Sequence, residues 1–238
     1  MEPYRWLEAV RHRREYIEDQ IMGATPVFAI SRPEGIFLMG IGLGHSKVFE
    51  VFDRHAMAAL GNPVDIEKLR HTAIEGAHVD SFKTSAQDVS LRRLINYSLS
   101  IALKNSFEQV YSPPLMVESV FAEVGRVQEE DTIITLSYDG TFQFMGDGVA
   151  VVAANKEHAG AAKVWAMPHL KNAKDLNAIA KVFLTCWQTL VNKNPFDDTL
   201  SVVGKLSDID LEGREFEAAL LERDPDKRVK YQAIDLDP

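Results

Sequence analysis

A single cysteine, Cys186, in 238 residues excludes an internal disulfide and removes any argument for an oxidising compartment. Long hydrophobic runs are missing too. The longest weakly polar stretch, Gly35 to Gly44, is far too short to cross a bilayer, and the opening MEPYRWLEAVRHRREY is broken throughout by charge, so neither a signal peptide nor an anchor is expected. Basic residues are not in excess: 26 Lys and Arg stand against 35 Asp and Glu, a formal charge of −9, which disfavours an unassisted nucleic-acid clamp. The seven histidines include no H-x-x-x-H pair and no cysteine companion at zinc spacing, so neither a metal nor a cofactor is expected. What remains, 46% apolar and 26% charged, is the composition of an ordinary globular chain, read as cytoplasmic, with no membrane or nucleic-acid partner.

The pattern of what is present divides the chain into alternating blocks. Trp6, Val10, Ile17 and Ile21 make one apolar stripe on an otherwise wet leading helix, which a short tail, Met1 to Arg5, precedes. Strands are expected over Val27–Arg32, Gly35–Ile41, Lys47–Phe52 and His55–Leu60, with a strong turn at Arg32-Pro33-Glu34-Gly35. Asn62-Pro63-Val64-Asp65 starts a helix that runs to about Phe82: a side-chain cap, a proline at the first turn and an acid facing the dipole. A second helix is expected from near Ser85, carrying Leu91, Ile95, Leu99 and Leu103 at fourth positions.

Strands then resume at Met116–Val124, Thr132–Tyr138, Thr141–Met145 and Val149–Ala154, with an Asp139-Gly140 hairpin turn. Helices are expected over about 155–166 and 174–192, and closing strands near Leu200–Leu206 and Arg214–Leu220. Strands, helix pair, strands, helix pair, strands is the order of an α+β four-layer αββα sandwich with an N-terminal helix. Its parts are a short tail with the leading helix (1–22), the sandwich (23–222) and a charged tail (223–238). The last 32 residues hold ten Asp and Glu against five Lys and Arg, which marks that end as a solvated edge.

Three local signals point elsewhere and are set aside. Gly40-Ile41-Gly42-Leu43-Gly44-His45 imitates a dinucleotide loop, but His45 replaces the third glycine and the segment runs into a strand, so no helix N-terminus faces a phosphate. Asp208, Asp210, Glu212 and Gly213 resemble half a calcium loop, yet Ala219 stands where its bidentate Glu belongs. Asp197-Asp198 has no nucleophile nearby and reads as a turn.

With this layout, a series of segments resembles α-type proteasome subunits, most of all those of bacteria. They are Glu15-Tyr16, Gly35-Ile36-Phe37-Leu38, the stretch Ser46 to Arg54, Ala58-Ala59-Leu60-Gly61, Pro114-Leu115-Met116-Val117, Ala122-Glu123-Val124 and Tyr138-Asp139-Gly140, in the family's order. The resemblance implies an Ntn-hydrolase sandwich in which β-subunits cut peptide bonds and α-subunits do not. A β-subunit attacks with an N-terminal threonine whose freed amine is the base. Thr25 stands in register with that threonine, and Lys47 with the active-site lysine. The family's carboxylate that holds this lysine corresponds to Ile41, which leaves the lysine without an orienting partner. Thr25 also follows Ala24 and precedes Pro26, so no catalytic residue is assigned.

The same resemblance gives Lys47 a second role. In α-subunits the matching lysine grips the C-terminal carboxylate of a docking activator, typically an ATPase ring, with main-chain groups near Gly61 and Gly23 beside it. Tyr4, Trp6, Glu15 and Tyr16 are the implied gate and interface residues. The partners implied are identical subunits in a seven-membered ring, a β-type ring and unfolded protein substrates. Two alternatives stay open: an N-terminal-nucleophile amidohydrolase with Thr25 unmasked, and a self-assembling ring without a protease partner.

Overall fold

The computed structural model describes residues 3–236 apart from 225 and 228, with side chains from residue 5 onward. Strands β1 (Val27–Arg32), β2 (Gly35–Gly42), β8 (Val149–Val152), β9 (Glu215–Glu222) and β10 (Tyr231–Ala233) form one antiparallel sheet in the order β10-β9-β2-β1-β8. A second contains β3 (Val48–Phe52), β4 (His55–Gly61), β5 (Val117–Glu123), β6 (Thr132–Ser137) and β7 (Phe142–Phe144), in that order. Alternation along each strand serves two faces at once. Ile36 and Leu38 of β2 meet Ala58 and Val120 between the sheets, while Phe37, Met39 and Ile41 of the same strand point outward.

Helices cover the two outer faces, so the architecture is the expected α+β sandwich of four layers. Helices α5 (Lys156–Asn172) and α6 (Leu176–Val191) pack on Phe37, Met39 and Ile41, with Phe183 stacked on Phe28 at 4.8 Å between ring centroids. Helix α2 (Pro63–Lys83) starts as expected, with Asn62 accepting from the Val64 N–H at 2.9 Å. It packs with α3 (Leu91–Leu94), a π turn over Ile95–Leu99 and α4 (Ser100–Glu108) on Met57, Ala59 and Phe121. No helix among the described residues is long and apolar enough to cross a membrane.

Four boundaries differ from the sequence reading. The second helix starts at Leu91, because Glu123 of β5 accepts its first N–H at 2.7 Å and residues 86–88 form only a 3₁₀ turn. Helix α5 runs through Pro168; the carbonyl that the proline leaves unbonded belongs to exposed Val164, on the solvent side of the helix. Residues 200–205 are irregular, not a strand: Val202, Val203 and Leu206 pack individually against the α5–α6 core without a ladder.

The fourth difference concerns the charged tail. It is not merely solvated: β10 pairs with β9, and Ile234 and Leu236 pack on the α5–α6 core. At its head Arg223 joins the two sheets. Its guanidinium donates to both oxygens of Asp131, at 2.7 and 2.8 Å, and to the carbonyls of Arg32, Pro33 and Gly125 at 2.9, 2.9 and 3.0 Å. Asp131 is itself filled by Ser31 Oγ and the Gly125 N–H, so the buried pair is fully hydrogen-bonded.

Removing one partner of such a pair strands the other's charge, so Arg223→Ala is expected to lower the unfolding free energy by about 3–5 kcal/mol. Urea unfolding measures this, and a loss comparable to an exposed ion pair, under about 1 kcal/mol, would show that the tail does not close the sandwich.

Candidate functional site

Thr25 lies between the end of the leading helix and the start of β1. Helix α1 (Pro3–Ile21) buries Ile17 and Ile21 against the inter-sheet core, and Glu18 accepts from the Tyr138 hydroxyl at 2.9 Å. Arg14 pairs with Asp139 at 3.1 Å and Arg13 donates to the Ser106 carbonyl at 2.9 Å. The second half of the helix is therefore fastened to the sandwich. The chain passes from it through Gly23 and Ala24 into Thr25, which is 8% exposed and whose hydroxyl donates to the Ile41 carbonyl.

Lys47 reaches the same residue from the other side. Its Nζ donates to the Thr25 carbonyl at 2.7 Å, so the structure brings together the two residues expected to share a site. The contact is with the backbone of the threonine, not with its hydroxyl. Burial pushes the ammonium down to about 8 from its ordinary 10.5; the Glu217 carboxylate opposes this and the Arg214 guanidinium adds to it.

Glu217 places a carboxylate at the backbone root of Lys47 that the sequence reading did not include. It lies on β9 directly across from Gly40, and its Oε2 accepts the N–H groups of Lys47 at 2.8 Å and Val48 at 3.1 Å. Ile41 is also not the seat that faces the lysine, since it points outward into the α5–α6 core. The signal for Glu217 was available in the sequence: on β9, residues 217, 219 and 221 read Glu, Ala, Leu, an acid on the inward face.

The glycines proposed to flank Lys47 stand in different places. Gly61 has φ +124°, and a Cβ there would lie 2.1 Å from the Met116 carbonyl oxygen, so close strand pairing requires glycine at this position. It is two residues beyond Ala59, whose N–H donates to the Lys47 carbonyl at 2.9 Å. Gly23 lines a cavity of about 550 Å³ with Thr25, Pro26, Asn155, His158 and Arg214.

Along the leading helix the expected apolar stripe is buried only in its second half. Trp6 and Tyr16 are 38% and 50% exposed, Leu7 is exposed beside them, and Glu15 pairs with Arg11 at 3.8 Å. The helix already includes positions 3 to 5, so the short tail expected before it is helical there; the side chain of Tyr4 lies outside the described residues.

The other set-aside segments behave as turns. The Gly40–His45 stretch enters a tight connection before β3, and Asp197 accepts from the Thr199 N–H and hydroxyl at 2.9 and 2.6 Å. Among the described residues no group of His, Cys, Asp and Glu is placed to hold a metal ion.

No family model matches the chain. Among curated proteins it is similar to the protein named proteasome subunit alpha from Kineococcus radiotolerans, 30% identical over 165 residues, which is 64% of this chain and 68% of that one. It is also similar to proteins of the same name from Actinosynnema mirum, 32% identical over 136 residues, and Paenarthrobacter aurescens, 31% over 137. Each of those two matches takes in 56% of this chain, and 51% and 57% of the relatives. The chain thus spans about half to two thirds of the length of the curated relatives it matches.

Lys47→Met keeps the length of the side chain and removes its titration. The unfolded lysine still holds its proton between about pH 8 and 10.5 whereas the folded one has released it, so wild-type stability is expected to climb relative to the variant across that window. Urea unfolding at a series of pH values checks this; a constant difference would contradict a buried ammonium.

Proposed function

The chain belongs to the proteasome α-subunit family, and on that premise we propose that it is a non-catalytic subunit of the outer ring of a 20S-like particle. In this reading, identical copies close a ring that stacks on a β-type ring bearing the threonine nucleophiles. An activator, such as an ATPase ring, docks its C-terminal carboxylate at Lys47 and shifts a gate between closed and open, admitting unfolded protein in the cytoplasm. The exposed Trp6, Leu7 and Tyr16 of the leading helix supply apolar area for neighbours in the ring.

One observation carries the non-catalytic part. An N-terminal-nucleophile mechanism needs a free amine on Thr25. Here the Thr25 nitrogen is a peptide nitrogen behind a helix fastened through Ile17, Ile21, Arg13 and Arg14. The depressed Lys47 ammonium is the observation that favours the hydrolase reading, since perturbed lysines gather at reactive sites. That reading requires cleavage before Thr25 and loss of the leading helix.

Intact mass of the purified protein separates the two: a chain that retains the residues before Thr25 is expected, and one that begins at Thr25 overturns the non-catalytic reading. Axial images of the native particle test the ring, and a second, β-like chain in the same preparation tests the stacking. For the docking role, Lys47→Ala is expected to leave assembly intact while weakening ATPase-stimulated turnover about tenfold or more, the effect of one lost charge-assisted hydrogen bond. Unchanged stimulation would remove Lys47 from the docking site.

A further inference from the structure

The glycine-rich segment before β3 has no part in the function just described, yet its geometry accounts for where Lys47 sits. At Gly42 an added Cβ would lie 2.3 Å from the His45 carbonyl oxygen, so the chain doubles back closely over itself and returns residue 47 across the end of β2. At Gly40 an added Cβ would lie 2.9 Å from Lys47 Cβ and 3.5 Å from Lys47 Cδ; one at Gly42 would lie 3.6 Å from Lys47 Cγ. The lysine stem therefore lies flat along the bare backbone of β2. Its root is fixed as well, because Glu217, across the ladder from Gly40, accepts the N–H groups of Lys47 and Val48.

We propose that Gly40 is a positioning residue for Lys47: its bare backbone, continued at Gly42, forms the trough that holds the lysine stem, and with Glu217 anchoring the root it presses the ammonium onto the Thr25 carbonyl and keeps it out of open solvent. The docking consequence rests on the role given to Lys47 above; the geometric claim does not.

The trough is specific to glycine for a steric reason. The nearest atom to an added methyl is Lys47 Cβ, whose position follows the backbone, so no change of lysine rotamer relieves the contact. Gly40→Ala must displace the loop that carries Lys47, and the ammonium then moves into water. Once rehydrated, it titrates nearer its ordinary 10.5 than the value of about 8 it has when buried.

The test is competitive labelling of lysines with acetic anhydride over a range of neutral to alkaline pH, read on the peptide containing Lys47 by mass spectrometry. Wild type is expected to show a reactivity midpoint near 8, and folded Gly40→Ala one at least a unit higher. An unchanged midpoint in folded Gly40→Ala overturns the proposal, because a glycine needed only for strand pairing leaves that titration where it was. If Gly40→Ala fails to fold, Gly40→Ala combined with Lys47→Gly is expected to restore folding, since the Cβ that it strikes is gone; failure of the double variant overturns the proposal as well.

A separate arm addresses docking. A fluorescein-labelled peptide with a free C-terminal carboxylate is compared with its C-terminal amide by anisotropy, and Gly40→Ala is expected to lose about tenfold or more of the wild-type preference for the carboxylate. A wild type with no such preference refutes the docking role of Lys47 and leaves the labelling result to decide the trough.

Discussion

A lysine ammonium buried against a backbone carbonyl ties together the segments that meet at one end of this sandwich. Lys47 comes from the connection before β3, Thr25 from the turn after the leading helix, Gly40 and Gly42 from the end of β2, and Glu217 from β9. Each depends on the others. Without the glycines the stem has no path, and without Glu217 the two N–H groups at its root lose their acceptor. The contact is made at an electrostatic cost, since the lysine's lowered affinity for its proton shows that lost hydration outweighs the attraction of Glu217. A buried cation held this way is poised to accept an anionic partner, which is the physical basis for the docking role proposed here.

The opposite end of the β1–β2 hairpin is built differently. There Arg223 and Asp131 share two short hydrogen bonds, and every remaining donor of the guanidinium meets a carbonyl from a turn that belongs to one sheet or the other. This end is closed by satisfied charge, whereas the Lys47 end carries a group whose proton is loosely held.

Much of the fold was legible in the sequence because its signals are local. The Asn62 cap, the Asp139-Gly140 turn and the two-residue alternation along Gly35–Ile41 each act over a few residues, and the four layers follow from them. Pairings between distant segments were not legible. The role of Arg223 depends on Asp131, 92 residues away, and that of Glu217 on Lys47, 170 residues away. Charge count alone made 223–238 look solvated, and the short β10 has too few residues to announce itself. At the site, motif alignment singled out Thr25 and Lys47, whose carbonyl and ammonium meet, and set the empty carboxylate seat at Ile41, because alignment does not show that Ile41 faces the outer helices while Gly40 faces the lysine.

The central claim is that Lys47 serves the peptide backbone of Thr25 and that Thr25 does no chemistry. Peptide hydrolysis by the purified chain alone, assayed with a fluorogenic substrate beside Thr25→Ala, tests it most directly. The account predicts no turnover above the blank in either protein. Turnover in the wild type that disappears in the variant would contradict it.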